Sequence, residues 1–137
     1  MARNVFVNTS GFYSLLVRRD DRHQQAAGLL REAQRRQGRF VTTDYVLDET
    51  ATLLKARGLT HLVPVLLETV FASAACTVCW TDAERFHITS EFFVKHDDQA
   101  WSFTDCLSFV VMKDQRLRDS LTKDVHFREA GFRPLLV

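Results

Sequence analysis

Short apolar runs alternate with longer segments of helical periodicity along the chain. The apolar runs predict five short strands, at residues 5–7, 39–42, 76–80, 117–122 and 133–137. The segments between them predict helices, at about residues 12–16, 21–37, 44–57, 60–75, 81–95, 103–115 and 125–130. Strands that alternate with helices of this length indicate an α/β fold, with a mostly parallel central sheet and helices on both faces.

The ends of several predicted helices carry recognisable boundary residues. Gly38 and Gly58 follow helical segments and predict their carboxyl ends. Pro64 falls in a first turn, where proline is tolerated. The run Thr-Asp-Ala-Glu that starts at Thr81 has the pattern of a capping box. The helix over residues 103–115 is apolar on nearly every side, so we expect it to be buried.

Composition and charge limit the architecture more than the function. A chain of 137 residues with 46% hydrophobic content fits one compact domain, residues 1–137. Lysine and arginine, 18 together, nearly balance 17 acidic residues, so a nucleic-acid partner would meet a local basic patch. No apolar stretch approaches the roughly 18 residues of a membrane span, and the first residues lead directly into a strand. We therefore expect a cytoplasmic protein with no membrane partner.

The chain has three cysteines, Cys76, Cys79 and Cys106, and this odd number suits a reducing compartment. Cys76 and Cys79 form a C-x-x-C motif in a strand-like run, where residues three apart point to opposite faces. Such a pair chelates a metal ion poorly, and the sequence has no second C-x-x-C or nearby H-x-x-x-H. Buried strand cysteines are therefore favoured over a zinc site.

Four polar residues fall where the predicted fold would gather ligand-binding groups. Asn8 ends the first strand and Asp124 follows the fourth, so both lie at the carboxyl edge of the sheet, where ligands bind in such folds. Glu49 lies on the predicted inward stripe of the third helix, and Asp105 opens the buried helix. We predict that three carboxylates and one amide meet at this edge.

The three acidic residues each have a structural explanation as well. Glu49 could be a partly buried carboxylate that is paired with an arginine or with backbone groups. Asp105 could be a first-turn acid, favoured by the helix dipole, in a helix capped by Ser102. Asp124 could cap the short helix that follows it. Their convergence at one edge favours a shared chemical role.

Clustered carboxylates repel one another and therefore favour a bound cation. Two unit charges about 4 Å apart repel by roughly 4 kcal/mol at an effective dielectric constant of about 20. A divalent metal ion removes that cost, and a set of oxygen ligands suits Mg²⁺ or Mn²⁺. Such ions activate water and neutralise charge during in-line attack on a phosphodiester.

The four polar residues stand in four short runs of the sequence. These are Val-Phe-Val-Asn-Thr-Ser-Gly-Phe-Tyr at 5–13, Thr-Thr-Asp-Tyr-Val-Leu-Asp-Glu-Thr at 42–50, Ser-Phe-Thr-Asp-Cys at 102–106 and Leu-Thr-Lys-Asp-Val-His-Phe at 121–127. In order and spacing they resemble the four motifs of PIN-domain proteins, especially VapC-type toxins, over essentially the whole chain. Each motif is short, but four in order within a chain of this size are fairly specific.

The resemblance implies a PIN-like three-layer sandwich and a metal-dependent endoribonuclease. It also implies an RNA substrate, a homodimer, and inhibition by a cognate VapB-type antitoxin whose C-terminal segment occupies the active-site groove. By position, Glu49, Asp105 and Asp124 match three of the family's catalytic and metal-binding acids. Asn8 stands in the place of the first aspartate. An amide oxygen can bind Mg²⁺ or Mn²⁺ but brings no charge, so metal affinity and activation of water should both fall.

Several neighbours of these residues are predicted to have lesser roles. Thr9 either holds a water or ligand oxygen, or caps the first helix. Asp48 points about 100° away from Glu49 around the helix and should face solvent. His126 is expected to pack or to form hydrogen bonds rather than to act as a catalytic base.

Arginines in two parts of the sequence could contact RNA phosphates. Those around the end of the second helix are better explained by the helix dipole, and they are Arg31, Arg35, Arg36 and Arg39. The better phosphate candidates lie closer in sequence to the fourth acid, and they are Arg116, Arg118, Arg128 and Arg133.

Aromatic residues are predicted to build the core rather than to stack on bases, because the eleven phenylalanines fall mostly in apolar stripes. Part of the first helix exceeds what one core needs and predicts a dimer or antitoxin interface, at Phe12, Tyr13, Leu15 and Leu16.

Three functions compete at this point. The first is a metal-dependent ribonuclease, weakened or inactivated by Asn8. The second is a non-catalytic module on the same fold that binds RNA or an antitoxin. The third, an unrelated nucleotide-binding domain, is disfavoured because no glycine-rich phosphate motif follows the first strand and Gly11 stands alone.

Overall fold

The strands of the protein form a single parallel sheet. A computed structural model describes residues 4–137. The strands are β1 (Val5–Val7), β2 (Phe40–Thr43), β3 (Cys76–Cys79), β4 (Asp119–Leu121) and β5 (Arg133–Pro134). They lie in the order β3-β2-β1-β4-β5, and each neighbouring pair is parallel. The predicted parallel α/β sheet is confirmed.

The connections between the strands are helical. Within the described residues the helices are α1 (Thr9–Leu16), α2 (His23–Arg35), α3 (Asp44–Ala56), α4 (Val63–Ala72), α5 (Ala83–Lys95), α6 (Phe103–Asp114) and α7 (His126–Glu129). The chain steps from β1 to β2 and β3 in one direction, then returns to the other side of β1 for β4 and β5. Because parallel crossovers are right-handed, this reversal lays helices on both faces. All three residues of β1 are accordingly buried.

The amino end of α5 differs from the predicted capping box. Asp82 caps the helix, because its Oδ1 accepts a hydrogen bond from the backbone nitrogen of Arg85 at 2.8 Å. Thr81 instead donates its hydroxyl to Oδ1 of Asp44, at 2.7 Å. The predicted cap was therefore wrong by one residue, because Thr81 has an acceptor on α3 that only the tertiary structure supplies.

Two other helix boundaries also depart from the sequence pattern. Gly58 has a φ of 72° and ends α3 as predicted, but at the end of α2 the left-handed residue is Gln37, with a φ of 56°. Gly38 follows it and donates its N–H to the carbonyl of Ala33 at 2.8 Å. The helix predicted from residue 60 begins as a 3₁₀ turn and becomes α-helical at Val63.

The core lies between the sheet and α6, as expected for an almost wholly apolar helix. The buried residues of α6 are Asp105, Cys106, Leu107, Ser108, Phe109, Val111 and Met112. Phe109 packs edge-on against Phe127 of α7, with ring centroids 4.9 Å apart, and Phe127 lies 6.4 Å from Phe6 of β1. Asp105 is thus a carboxylate at the start of the most buried helix. Over residues 4–137, no helix has both the length and the apolar character needed to cross a membrane.

Candidate active site

The carboxyl ends of β1 and β4 lie side by side and form the floor of the candidate site. Val7 pairs with Leu121 in the parallel register. The backbone nitrogen of Asn8 continues the ladder by donating to the carbonyl of Leu121 at 3.2 Å. Asn8 and Thr122 therefore leave the sheet at the same edge, with Asp124 two residues further along. The predicted proximity of the first and fourth motifs is confirmed.

Asn8 is buried, with 4% of its surface exposed, and only one end of its amide is satisfied. Its Nδ2 donates to Oγ1 of Thr122 at 3.0 Å. Its Oδ1 is also buried but has no hydrogen-bond partner among the described residues. Buried polar atoms in folded proteins are rarely left unpaired. The orphan Oδ1 therefore points to a ligand, such as a cation or a donor, that binds at this edge.

Asp105 has the first-turn position predicted for it, and its carboxylate also faces His126. Ser102 caps α6, since its Oγ accepts from the backbone nitrogen of Asp105 at 3.0 Å, and Asp105 Oδ2 accepts from the backbone nitrogen of Ser102 at 3.1 Å. The same Oδ2 lies 3.1 Å from Nδ1 of His126. The capping box fixes the carboxylate and leaves it facing the residues that follow β4.

Asp124 and His126 complete a compact group with Asp105. Oδ1 of Asp124 accepts from the backbone nitrogen of His126 at 2.9 Å and lies 3.4 Å from the imidazole Nδ1. One potential ligand atom from each of Asp105, Asp124 and His126 lies within 4.8 Å of the others. His126 forms the hydrogen bonds predicted for it. Asp124 is not the N-cap of α7 as predicted, because Val125 takes that position and the helix has no side-chain cap. Both side chains lie beside Asp105.

The surroundings of this group raise the pKa of both Asp105 and His126. Burial raises the pKa of Asp105, and the neighbouring charge of Asp124 raises it further. Hydrogen bonds from Ser102 and His126 lower this pKa but do not cancel the increase. Burial opposes a charge on His126, but its hydrogen bond to Asp105 and the charges of Asp124, Asp105 and Glu129 outweigh that effect and raise its pKa. Both shifts favour the protonated form, which for His126 is the form attracted to the two acids.

Glu49 reaches the same region by a route that differs from the prediction. The buried residues of α3 are Val46, Leu47, Thr50 and Leu54. Val46 alone of the predicted inward stripe is among them, and Glu49, which was predicted to face inward, is exposed. Thr9 donates its hydroxyl to Oε1 of Glu49 at 2.6 Å. Glu49 lines a cavity of about 280 Å³ together with Asn8 and Asp124. It therefore stands on the rim of the site, and Asp48 beside it is exposed as predicted.

Thr9, Ser10 and Lys123 also line this cavity, although sequence reasoning assigned them little or no role. Thr9 holds Glu49 and does not cap α1, whose amino end has no side-chain cap. Ser10 Oγ accepts from the backbone nitrogen of Lys123 at 2.8 Å and lies 3.0 Å from Oγ1 of Thr122. The signal for these residues was their position directly after the carboxyl ends of β1 and β4.

The arginines proposed to bind phosphate lie mostly elsewhere. Arg116 and Arg118 precede β4, and Arg133 opens β5, so all three lie at the amino edge of the sheet, opposite the acids. Arg133 is paired there with Asp119 at 2.8 Å. That placement could have been predicted, because a residue before a parallel strand lies at its amino edge. Arg128, on α7, remains on the side of the site.

The arginines around the end of α2 also lie far from the acids, and their contacts are structural. Arg35 and Arg36 pair with Glu32 of their own helix. Arg39 donates to the carbonyl of Ala74 and the hydroxyl of Thr77, before β2.

The donor set at this edge fits a divalent metal ion. Two carboxylates, an imidazole and an unpaired amide oxygen are gathered there, and hard divalent ions bind such oxygens. Asp124 joins the two parts of the site, because it belongs to the compact group with Asp105 and also lines the cavity with Asn8 and Glu49. The arrangement can hold a cation beside a cavity open to solvent.

Comparison with known proteins agrees with this geometry. Residues 5–133 match the PIN domain. The chain is 31% identical over 128 residues to the 23S rRNA-specific endonuclease VapC20 of Mycobacterium tuberculosis, which covers 93% of this chain and 95% of that protein. It is 32% identical over 110 residues to a VapC ribonuclease of Archaeoglobus fulgidus, covering 79% of this chain and 67% of the relative.

A solved structure shows the same likeness in three dimensions. The crystal structure of Mycobacterium tuberculosis VapC20, described as a sarcin-ricin loop cleaving toxin, superposes with a TM-score of 0.83 at 30% identity. The superposition covers 93% of this chain and 95% of that one. The family match, the two VapC relatives and the shared fold agree, and the chain belongs to the PIN-domain family, as a member of its VapC type.

Proposed function

We propose that this chain is an endoribonuclease of the VapC toxin type, built as a single PIN domain, that hydrolyses RNA with the help of Mg²⁺ or Mn²⁺. The observation that carries the proposal is the gathering of Asn8, Glu49, Asp105 and Asp124 around one edge of the sheet. The fold around that edge is shared with relatives named as ribonucleases.

Each residue has a distinct task in this proposal. Asp105 and Asp124 hold the metal ion, and the free Oδ1 of Asn8 adds a neutral ligand. When bound, the ion neutralises charge on the phosphodiester and lowers the pKa of a water for the attack. Thr9 fixes one oxygen of Glu49, which leaves the other oxygen to orient water or the RNA backbone. Of the proposed arginines, Arg128 is the best placed to meet a phosphate.

The substitution at the first acid lowers the activity in this proposal. An aspartate at position 8 would bring four acids to the site, whereas Asn8 leaves three. One missing negative charge weakens the attraction for a divalent cation and the polarisation of its water. The chain as it stands should therefore be a slow nuclease.

Restoring the acid tests the function directly. We expect Asn8→Asp to increase Mg²⁺- or Mn²⁺-dependent cleavage of 23S rRNA by about tenfold or more, the range by which contacts at metal sites change activity. That RNA is the first choice because the VapC20 relative is named for it. The control is the double variant Asn8→Asp, Asp105→Ala, and equal activity of the two would contradict the proposal.

We further propose that a VapB-type antitoxin segment inhibits the chain by docking beside α1. Apolar residues of α1, α2 and α4 surround a cavity of about 270 Å³, and they include Phe12, Leu15, Leu16, Leu30, Leu66 and Val70. The excess of apolar residues expected on α1 is smaller than predicted, because Phe12 is buried in the core and Tyr13, Leu15 and Leu16 pack partly against it. The interface would use the exposed parts of these three residues. The three free cysteines fit the reducing cytoplasm in which such a pair would act.

The second candidate is a non-catalytic PIN-fold module that binds RNA or an antitoxin. Asn8 favours it, since this uncharged side chain donates a hydrogen bond to Oγ1 of Thr122 at 3.0 Å and brings no charge to the site. This candidate predicts no cleavage even after Asn8→Asp, together with binding that survives Glu49→Gln and Asp105→Asn. Filter binding and cleavage measured on the same variants separate the two functions.

A further inference from the structure

The imidazole of His126 lies close to the carboxylates of both Asp105 and Asp124. From the sequence, only oxygen ligands were considered at this site. We propose that Nδ1 of His126 is itself a metal ligand beside Asp105 and Asp124, so that the site prefers Mn²⁺ and related transition-metal ions over Mg²⁺. The inference rests on the metal dependence in the proposed function and deepens it by assigning a ligand and a class of ion.

The spacing of the three side chains suits coordination of one ion. Nδ1 of His126 lies 3.1 Å from Oδ2 of Asp105 and 3.4 Å from Oδ1 of Asp124. Ligands about 2.1 Å from an octahedral ion lie about 3.0 Å apart when they are adjacent. The group therefore needs only small adjustments to bind one ion between the imidazole and the two carboxylates.

The backbone keeps the imidazole in this position. The nitrogen of His126 donates to Oδ1 of Asp124 at 2.9 Å, which fixes the turn between the two residues. A neutral imidazole that carries its proton on Nε2 presents a lone pair on Nδ1 to the acids. The aromatic ring thus offers a nitrogen ligand without moving its backbone.

Asn8 supplies an independent sign of a ligand at this place. Its Oδ1 is buried and has no hydrogen-bond partner within residues 4–137, and Asn8 shares a cavity with Asp124. Two carboxylates, one amide oxygen and one neutral imidazole carry a formal charge that balances a single divalent ion. Imidazole binds later transition-metal ions better than Mg²⁺, which strongly prefers oxygen. The lost charge at position 8 and the added nitrogen ligand therefore both shift the site away from Mg²⁺.

Pulsed electron paramagnetic resonance of the Mn²⁺-loaded protein tests the assignment without measuring activity. A directly bound imidazole gives a nitrogen modulation of the Mn²⁺ signal, and we expect it in the wild type. The variant His126→Gln should lose the modulation, and isothermal titration should show about a tenfold weaker affinity for Mn²⁺ but a smaller change for Mg²⁺. The matched control is His87→Gln, because His87 is exposed on α5 and pairs with Glu91.

The outcomes separate this inference from the proposed function. Mn²⁺ that binds and supports RNA cleavage without nitrogen modulation would overturn the ligand assignment and leave the nuclease intact. Nitrogen modulation that persists in His126→Gln would assign the bound nitrogen to another residue and also overturn the assignment. Absence of Mn²⁺ binding to the wild type would contradict both. If His126→Gln does not fold, isotopically labelled histidine in the wild type must change the modulation pattern, and an unchanged pattern overturns the assignment.

Discussion

The hydroxyl of Thr122 connects the two ends of the site through three hydrogen bonds. Its Oγ1 accepts from Nδ2 of Asn8 at 3.0 Å and from the backbone nitrogen of Asp124 at 3.0 Å. A hydroxyl has two acceptor sites and one proton, so the remaining proton goes to Oγ of Ser10, 3.0 Å away. Thr122 therefore sets the orientation of the Asn8 amide and leaves Oδ1 of Asn8 free.

Removal of this hydroxyl should destabilise the protein. We predict that Thr122→Val lowers the free energy of unfolding by about 1–3 kcal/mol, because buried donors of Asn8 and Asp124 lose their acceptor. Urea denaturation measures the change. Thr50→Val is the matched control, since buried Thr50 donates only to the helix carbonyl of Val46, and its cost should be smaller. Equal costs would contradict the role given to Thr122.

Lys123 ties the loop after β4 to the segment before α2. Its Nζ lies 2.8 Å from Oδ1 of Asp20, whose side chain is mostly buried and also accepts from Ser14. Burial opposes the charge on Asp20, but these hydrogen bonds and that from the Arg22 backbone outweigh it and lower its pKa. The ionised form of Asp20 therefore adds stability above the ordinary pKa of 3.8, and this stability is lost as the pH falls through the folded-state pKa.

The stability of a Lys123→Met variant should consequently depend on pH. At a pH of about 7 we expect the free energy of unfolding of this variant to be about 1 kcal/mol lower than that of the wild type. This figure allows for solvent screening of the partly exposed lysine. The difference from wild type should disappear in acid, once Asp20 is protonated in both proteins. Urea denaturation across this range measures it, and the double variant with Asp20→Asn is the control. A difference that stays constant in acid would contradict the ion pair.

At the scale of elements, the contact between α1 and β4 decides where the first motif lies. Gly11 is the residue of α1 at the crossing, and a Cβ on it would overlap the carbonyl oxygen of Leu121. The glycine therefore permits the close approach that brings Asn8 beside Thr122. In the sequence it stood alone and suggested no phosphate-binding loop, and its actual role is packing.

We predict that Gly11→Ala destabilises the protein by about 3 kcal/mol, because the added methyl group must push α1 away from a strand backbone. The contrasting variant is Gly28→Ala in α2, where the nearest atom to a new Cβ is an Arg31 guanidinium nitrogen at 3.8 Å. That change should raise stability by about 0.5–1 kcal/mol through the better helix propensity of alanine. Thermal and urea unfolding of both variants provide the measurement, and a neutral Gly11→Ala would refute the close approach.

The helix α3 shows where periodicity alone misleads. The sequence placed Glu49 on an inward stripe with Tyr45, Val46, Thr52, Leu53 and Ala56. Of these only Val46 is buried, and the inner face is completed by Leu47, Thr50 and Leu54. Polar threonines and apolar residues occur on both sides of this helix, so hydrophobicity does not mark the inner face. Glu49 nevertheless lines the cavity, where its Oε1 accepts a hydrogen bond from the hydroxyl of Thr9.

At the scale of the whole molecule, an exposed aromatic group lies where α3, α5 and α6 meet. The rings of Phe86, Phe93 and Tyr45 lie 5.1, 5.7 and 5.9 Å from the ring of Phe103. Phe86 and Phe93 remain 46% and 41% exposed. Contiguous exposed aromatic surface commonly marks a protein interface. The homodimer expected from the family resemblance stays a prediction, and this face is where we expect it.

Charged substitutions on this face should therefore give a monomer. We predict that Phe86→Glu with Phe93→Glu dissociates the dimer, because burying two carboxylates in an apolar interface is unfavourable. Sedimentation velocity at several protein concentrations measures the change. The control replaces Phe71 and Trp80, a second exposed and stacked pair whose ring centroids are 6.2 Å apart. A dimer lost only in the control would assign the interface to that pair.

The sequence by itself determined the order of strands and helices, and it identified the polar positions at the edge. Apolar periodicity is a local property and can therefore be recognised in the sequence. The carboxyl ends of parallel strands share one edge of the sheet, so Asn8 and Asp124 could be placed at the same edge from the sequence alone. The tertiary structure alone decided that His126 faces two acids, that Glu49 is exposed, and that Asn8 keeps an unpaired oxygen. Those features depend on packing between residues far apart in the chain, which local periodicity does not encode.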